Sequence, residues 1–120
     1  MGDKIRKFED LEVWKESMRL TGDIYQQLNS LKDYGFRDQV QRAAVSIPSN
    51  IAEGFERQSN KEFIQFLFIA RGSSGELRTQ LYLAVDLKFL EEEKGSQLIE
   101  QTRKISAMLS ALIRIRKENF

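Results

Sequence analysis

The fold of this chain is decided by a stretch with the sequence QRAAVSIPSNIAEG, which occupies residues 41–54 and contains the only proline. At about 100° per residue, one apolar stripe runs along a helix through this stretch. It consists of Val40, Ala44, Ile47, Ile51 and Phe55. A polar stripe on the other side consists of Arg42, Ser46, Ser49, Asn50 and Glu53. Its short side chains are unlike the long Lys and Glu of a solvated helix face, so we interpret it as a packing surface.

Pro48 lies in the middle of this stretch. A proline lacks the N–H that would bond the carbonyl four residues earlier, here that of Ala44, and it ordinarily ends or kinks a helix. The apolar stripe nevertheless keeps its phase on both sides of the proline, which predicts one kinked but continuous helix. Ser46 and Ser49 are expected to donate to carbonyls that the kink sets free.

The composition excludes several kinds of chemistry. The 120 residues include no cysteine and no histidine, and the formal net charge is +1. Disulfides and thiolate metal sites are therefore ruled out, and the commonest general base and metal ligand are missing. No apolar run reaches the roughly 20 residues of a membrane span, and the charged first residues are not followed by the apolar core of a signal peptide. We expect a cytoplasmic protein with no cofactor and no membrane partner.

Glycine, proline and asparagine breaks divide the chain into four helical segments, and none shows the alternation of a strand. The predicted helices span about residues 10–31, 37–55, 60–90 and 97–117. Asp10 is expected to cap the first, Gly35 to break the chain before the second, and residues 91–96 to form a polar loop. Ser59 and Glu62 have the spacing of a capping box. Short breaks favour antiparallel neighbours, so we predict an all-α, up-down-up-down four-helix bundle in a single domain.

The first and third helices carry apolar residues away from their main stripes, which indicates burial on two sides. A helix at the centre of a monomer would show the same pattern, but a four-helix bundle has no central helix. We therefore predict a homo-oligomer. Its predicted interface consists of Val13, Leu20 and Ile24 on the first helix and Ile64, Phe68 and Tyr82 on the third.

Residues 71–76 read RGSSGE, a run of small residues that resembles a phosphate-binding loop. The run lacks the preceding strand and the Gly-Lys-Ser/Thr ending of a P-loop. Small residues within a helix let a neighbouring helix come close, at a cost of up to about 1 kcal/mol for each glycine. We interpret the run as a close-packing surface.

Carboxylates are the remaining candidates for catalysis. Glu53 and Glu76 could serve as a paired acid and base with raised pKa values. Buried charges normally need partners, however, and this chain supplies arginines at similar heights. These are Arg42, Arg57, Arg71 and Arg78. We therefore expect structural ion pairs and no enzymatic activity.

The last predicted helix has a basic face. Between Gln101 and Lys117 the chain has five basic residues and no acid. Arg103, Arg114 and Lys117 share one side of the helix. Such a face is either simply solvated or a set of phosphate contacts, whose affinity falls steeply with salt. Because an oligomer would display the face several times, we predict that these residues bind nucleic acid.

Three segments carry a resemblance to a known family. They read FEDLEVW at residues 8–14, QRAAVSIPSNIAEG at 41–54 and EFIQFLFIARGS at 62–73. Over roughly residues 8–114 the chain resembles the bacterial four-helix bundle family of 23S ribosomal RNA intervening-sequence proteins. The resemblance implies antiparallel bundles that assemble as homopentamers around a central channel, without established enzymatic activity. A related branch, the accessory proteins of diversity-generating retroelements, consists of basic pentamers that bind nucleic acid and a reverse transcriptase.

The resemblance also extends the polar stripe to Arg71 and Ser73 of the third helix. The near-neutral charge of this chain departs from the retroelement branch. We therefore expect a non-enzymatic, homo-oligomeric helical scaffold, a pentamer by resemblance, with RNA or a nucleic-acid-processing protein as its partner. The alternatives are a purely structural assembly and a carboxylate-dependent hydrolase.

Overall fold

A computed structural model describes residues 5–120 as four helices and, in this range, no strand. The helices are α1 (Glu12–Leu28), α2 (Tyr34–Phe55), α3 (Asn60–Asp86) and α4 (Glu92–Asn119), preceded by a 3₁₀ turn over Phe8–Asp10. Each helix packs against two others, in the cyclic order α1, α2, α3, α4. The predicted all-α four-helix class is confirmed. None of the helices among the described residues is long and apolar enough to cross a membrane.

Contacts between neighbouring helices run in opposite directions along the chain, which makes the pairs antiparallel. On α2 and α3, Ser46 meets Ser73, and Gly54, further along α2, meets Phe66, earlier on α3. On α3 and α4, Ser74 meets Ser106, whereas Asn60, at the start of α3, meets the end of α4. On α1 and α4, Glu16 meets Lys104, whereas Asp23, further along α1, meets Gln101, earlier on α4, so the bundle is up-down-up-down.

Two glycines that we expected in loops lie inside helices. Asp33 caps α2, because its side chain accepts a hydrogen bond from the backbone N–H of Phe36 at 3.1 Å, and Gly35 follows within the first turn. Gly95 is buried in α4, where an added Cβ would collide with Val85. The polar loop predicted over residues 91–96 is therefore wrong: the glycine lets α4 approach α3 instead of ending a helix.

The ends of α1 and α3 also differ from the prediction. Asp10 closes the 3₁₀ turn, and the residue that caps α1 is Leu11, without a side-chain hydrogen bond. The chain leaves α3 after Asp86 because Lys88 adopts a φ of 64°. The capping role of Ser59 is confirmed, since its hydroxyl accepts from the N–H of Glu62 at 3.1 Å.

The helix α2 continues through Pro48, as the phase of the apolar stripe predicts. The carbonyl of Ala44, which the proline leaves without a helical donor, accepts a hydrogen bond from Oγ1 of Thr21 on α1 at 3.2 Å. Ser46 instead bonds side chains of α2 and α3, and Ser49 is exposed. The donor for the freed carbonyl thus comes from another helix.

The core contains Val13, Leu20 and Ile24, whose side chains are 4%, 0% and 0% exposed within the single chain. Placing them in an oligomer interface was wrong, because this stripe of α1 faces the bundle axis. The outward side of α1 carries Met18 and Tyr25, both nearly half exposed. The helix does have two apolar sides, and the side that we assigned to an oligomer interface faces the core.

The polar stripe divides into buried and exposed parts. Asn50 donates to the carbonyl and hydroxyl of Ser46 at 2.7 and 2.9 Å, and Ser46 lies 2.8 Å from the hydroxyl of Ser73 on α3. This part is a packing contact between helices. Arg42, Ser49 and Glu53 are exposed. Arg71 lies on the other side of α3 and contacts α4, so it does not belong to this stripe.

Close packing in the run 71–76 comes from its serines. Ser73 contacts α2, and the fully buried Ser74 donates to the carbonyl of Thr102 on α4 at 3.0 Å. A Cβ added at Gly72 or Gly75 would meet no atom within 4 Å. Our interpretation of the two glycines as close-approach positions was therefore wrong.

Candidate nucleic-acid interface

The outer sides of α3 and α4 form a continuous surface that we call the α3–α4 face. It is defined by the exposed residues Phe68, Arg71, Tyr82, Arg103, Arg114 and Lys117. Phe68 and Tyr82 are 14 residues apart, close to four helical turns, so they lie on the same side of α3. The antiparallel packing of α4 then brings Arg103 to Tyr82 and Lys117 to Phe68.

The first of two clusters on this face surrounds Tyr82. Arg103 donates through Nη2 to the phenol oxygen of Tyr82 at 2.7 Å and through Nη1 to Oε1 of Glu100 at 2.9 Å. The hydrogen bond that Arg103 donates to Glu100, followed by the Coulomb interaction with Tyr82, raises the pKa of Arg103 above its ordinary value. Arg103 is thus a permanent cation held beside a ring that is 47% exposed.

The second cluster surrounds Phe68. The Arg71 guanidinium carbon lies 4.8 Å from the ring centroid, and the Lys117 ammonium lies 5.0 Å from it. Arg71 also donates to the hydroxyl of Ser110 on α4 at 3.2 Å. Cations at these distances are attracted by the negative face of the ring. The ring remains 37% exposed and keeps two positive charges at the boundary between the helices.

The face carries an excess of positive charge. Within the described part of the chain, the only ion pair made by Arg71, Arg103, Arg114 or Lys117 joins Arg103 to Glu100. The remaining cations have no carboxylate within ion-pair distance in residues 5–120. Cations of this kind bind phosphates, and exposed aromatic rings stack on unpaired bases. The two clusters are about 21 Å apart along α3, roughly the length of six stacked nucleotides.

The structure thus brings together residues from two separate predictions. Arg103, Arg114 and Lys117 are exposed on one side of α4, and their binding of nucleic acid stays a prediction. Phe68 and Tyr82, which we assigned to an oligomer interface, lie on the same face. Arg71 and Ser110 were not predicted here. The three- and fourteen-residue spacings from Phe68 to Arg71 and Tyr82 are the signal that places them on one side of α3.

The carboxylates considered for catalysis do not form a site. Glu53 pairs with Arg57 at 2.7 Å, one turn further along α2, and both are exposed. Glu76 is exposed on α3 and makes no ion pair with any described residue. No group of acidic residues able to hold a metal ion occurs in residues 5–120. Glu53 therefore pairs with one of the predicted arginines, but the pair is exposed and lies within α2, so it does not fix the register of two helices. The expected pair is wrong for Glu76.

Comparison with known proteins identifies the family. Residues 9–111 match the family model described as 23S rRNA-intervening sequence protein. The chain belongs to this family. The crystal structure of a protein of unknown function from the S23 ribosomal protein family of Bacteroides thetaiotaomicron is similar, with a TM-score of 0.80 and 26% sequence identity. The match covers 85% of this chain and 98% of that one. None of the curated proteins compared with the chain matches it.

Membership confirms the resemblance and agrees with the observed four-helix fold. The Bacteroides protein is itself of unknown function. Function must therefore be argued from the surfaces of this chain, and the α3–α4 face is the surface whose chemistry is most specific.

Proposed function

We propose that this member of the 23S rRNA-intervening sequence protein family is a non-enzymatic, homo-oligomeric, cytoplasmic scaffold that binds RNA on its α3–α4 face. The observation that carries the proposal is the placement of three cations against Phe68 and Tyr82, of which Arg103 alone is paired with a carboxylate among the described residues. A merely solvated basic face needs no exposed aromatic rings, whereas a face that binds nucleic acid uses both.

The chemistry of the face fits RNA that contains unpaired bases. Sequence-tolerant binding of single strands combines phosphate contacts with stacking of bases on aromatic rings. The face offers two such rings, each with a cation beside it to meet the adjacent phosphate. Since the overall charge is only +1, attraction is local to this face, and the affinity of one chain for RNA should be modest.

Assembly would raise this affinity by presenting several copies of the face to one RNA. The interface must then leave the α3–α4 face open, so we transfer Phe68 and Tyr82 from the interface to the RNA site. Two exposed apolar residues of α3 on the outer edge between α2 and α3 remain available for self-association; they are Ile69 and Leu83. The homopentamer implied by the family resemblance is the assembly we propose.

The test is the salt dependence of RNA binding by two charge-matched triple variants. R103Q/R114Q/K117Q removes cations of the α3–α4 face, and K7Q/K32Q/K88Q removes three exposed lysines elsewhere. We expect the first variant to lose most binding to an RNA with a single-stranded loop, and its plot of log affinity against log salt to become shallower. The second should bind nearly as the wild type does. Equal losses in both variants, or no binding by the wild type at low salt, would overturn the proposal.

A purely structural assembly is the second candidate, and the exposed apolar edge formed by Ile69 and Leu83 favours it. Like the first proposal, it requires a homo-oligomer, but it does not include RNA binding. A stable oligomer that binds no RNA at any salt concentration would support this second function.

A further inference from the structure

A pocket at the end of the bundle lies apart from the α3–α4 face. Its volume is about 400 Å³, and it opens where the ends of α2 and α4 meet the start of α3 and the segment before α1. Its walls include the apolar side chains of Leu11, Phe55, Phe63, Leu112 and Ile115. Pockets for small organic ligands have volumes and apolar walls of this kind, with a few polar groups that orient the ligand.

One charged side chain, that of Arg116, lines this pocket. Its Nε donates to Oδ1 of Asn60 at 2.7 Å, and the Asn60 amide donates in turn to the backbone carbonyl of Arg116 at 3.0 Å. The guanidinium carbon lies 4.9 Å from the centroid of Phe63 and 3.7 Å from that of Phe120. The side chain is therefore held by hydrogen bonds and by aromatic rings on the pocket wall.

No carboxylate among residues 5–120 forms an ion pair with Arg116. The bond to Asn60 occupies Nε, and no described group accepts a hydrogen bond from the two terminal nitrogens. Burial lowers the pKa of Arg116 from its ordinary value, because the charged guanidinium has lost part of its hydration. The Arg116 side chain is only partly buried, and an anion that enters the pocket would supply the charge partner that no described carboxylate supplies.

We propose that this pocket binds an amphipathic monocarboxylate, with the carboxylate on Arg116 and the aliphatic or aromatic body among the apolar side chains. The planar fork of a guanidinium matches the two oxygens of a carboxylate. The single cation of the pocket balances the single negative charge of a carboxylate. A phosphate monoester carries nearly two negative charges, and the described pocket wall offers it no second cation. The apolar walls select a ligand with a hydrocarbon body, which acetate or formate does not have.

The probe for this proposal is decanoate, titrated below its micellar concentration into the full-length protein and followed by calorimetry. Decanol serves as the uncharged comparison. We expect saturable binding of one decanoate per chain. R116M removes the charge but keeps a long, unbranched side chain. Decanoate should bind to this variant at least tenfold more weakly, while decanol binds as before. R116K should recover part of the affinity for decanoate, because it restores the charge.

Two further variants separate the pocket from other causes. N60A removes the hydrogen bond that orients Arg116 but leaves its charge, so decanoate should still bind more tightly than it does to R116M. L87Q removes an exposed leucine near the other end of α3 and should change nothing. The proposal is overturned if decanoate does not bind or if R116M retains full affinity for decanoate. It is also overturned if R116M loses as much affinity for decanol as for decanoate. An effect of L87Q as large as that of R116M would also overturn it, since binding would then follow surface hydrophobicity.

Discussion

Thr21 donates a hydrogen bond to the carbonyl oxygen of Ala44, which lies on the neighbouring helix, at 3.2 Å. This carbonyl would otherwise have no donor, because Pro48 stands four residues further along α2. The hydroxyl has one proton, which it shares between this carbonyl and the carbonyl of Ser17 in its own helix, 2.8 Å away. A proline in the middle of a 22-residue helix is thus accommodated by a side chain from α1.

Replacement of Thr21 by valine should therefore destabilise the fold. T21V keeps the shape of the side chain but leaves a partly buried carbonyl unsatisfied, and we expect a loss of about 1–3 kcal/mol in the free energy of unfolding. Urea denaturation measures it. The control is T79V, because Thr79 is exposed and its hydroxyl bonds only the carbonyl of Gly75 in the same helix. In a P48A background, where the N–H is restored, T21V should cost less. An equal cost in both backgrounds would contradict the assigned role.

The glycine that ends the central stretch allows α2 and α3 to touch. A Cβ at Gly54 would lie 2.5 Å from Cβ of Phe66 and 3.1 Å from Cδ1 of Phe63. We expect G54A to cost about 1–3 kcal/mol through overpacking. In contrast, G72A meets no atom within 4 Å and should stabilise α3 by up to about 1 kcal/mol. Thermal unfolding of the two variants tests the difference in sign, and a stabilised G54A would refute the close contact.

The buried and exposed parts of the polar stripe should respond differently to substitution. N50A removes hydrogen bonds that hold Ser46 against Ser73, and we expect a loss of about 1 kcal/mol. R42A removes an exposed side chain and should change stability by less than about 0.5 kcal/mol. Chemical denaturation of both variants gives the values. If R42A proved the more costly, Arg42 would have a partner outside the single chain.

Base stacking predicts a specific role for Phe68. If unpaired bases stack on its ring, F68A should weaken RNA binding by about 1–3 kcal/mol, at least about fivefold, without changing the salt dependence. M18A is the control, since Met18 is also an exposed apolar residue but lies on the outward side of α1, away from the α3–α4 face and from the proposed oligomer interface. Filter binding at several salt concentrations distinguishes the two variants. Equal effects of F68A and M18A would argue against stacking.

The proposed interface on the α2–α3 edge can be tested by mass. L83E places a charge on an exposed apolar residue of this edge and should lower the molecular mass measured by light scattering. M18E introduces the same charge on the outward side of α1 and should leave the mass unchanged. A monomeric wild type, or dissociation by M18E alone, would show that the edge is not the interface.

The sequence predicts the number and order of the helices well because each has a continuous apolar stripe and most breaks are short. Glycines were the main source of error. Gly35 and Gly95 look like helix breaks, yet one follows an Asp33 cap and the other fits against Val85. Local propensity cannot reveal a contact with another helix, and such contacts decide the cost of a glycine.

The surfaces were harder to predict than the helices, because the sequence does not show which of two apolar sides of a helix faces the bundle axis. Periodicity shows that α1 is apolar on two sides but does not say which side faces the axis, so Val13, Leu20 and Ile24 were placed outward although they are core residues. The cations Arg103, Arg114 and Lys117 were correctly grouped, since they share one helix. Their aromatic neighbours belong to α3, and the register between two helices is fixed only by three-dimensional packing.

The hydrogen bonds of the neighbouring residues Ser73 and Ser74 also fix the orientation of α3. Their hydroxyls bond outward from α3 in two directions, one to α2 and the other to α4. A rotation of α3 about its own axis, or a slip by one residue, would break both attachments together. The pair therefore fixes the angular position of α3. Inserting one residue between Arg71 and Ser73 would turn Phe68 and Arg71 about 100° away from α4.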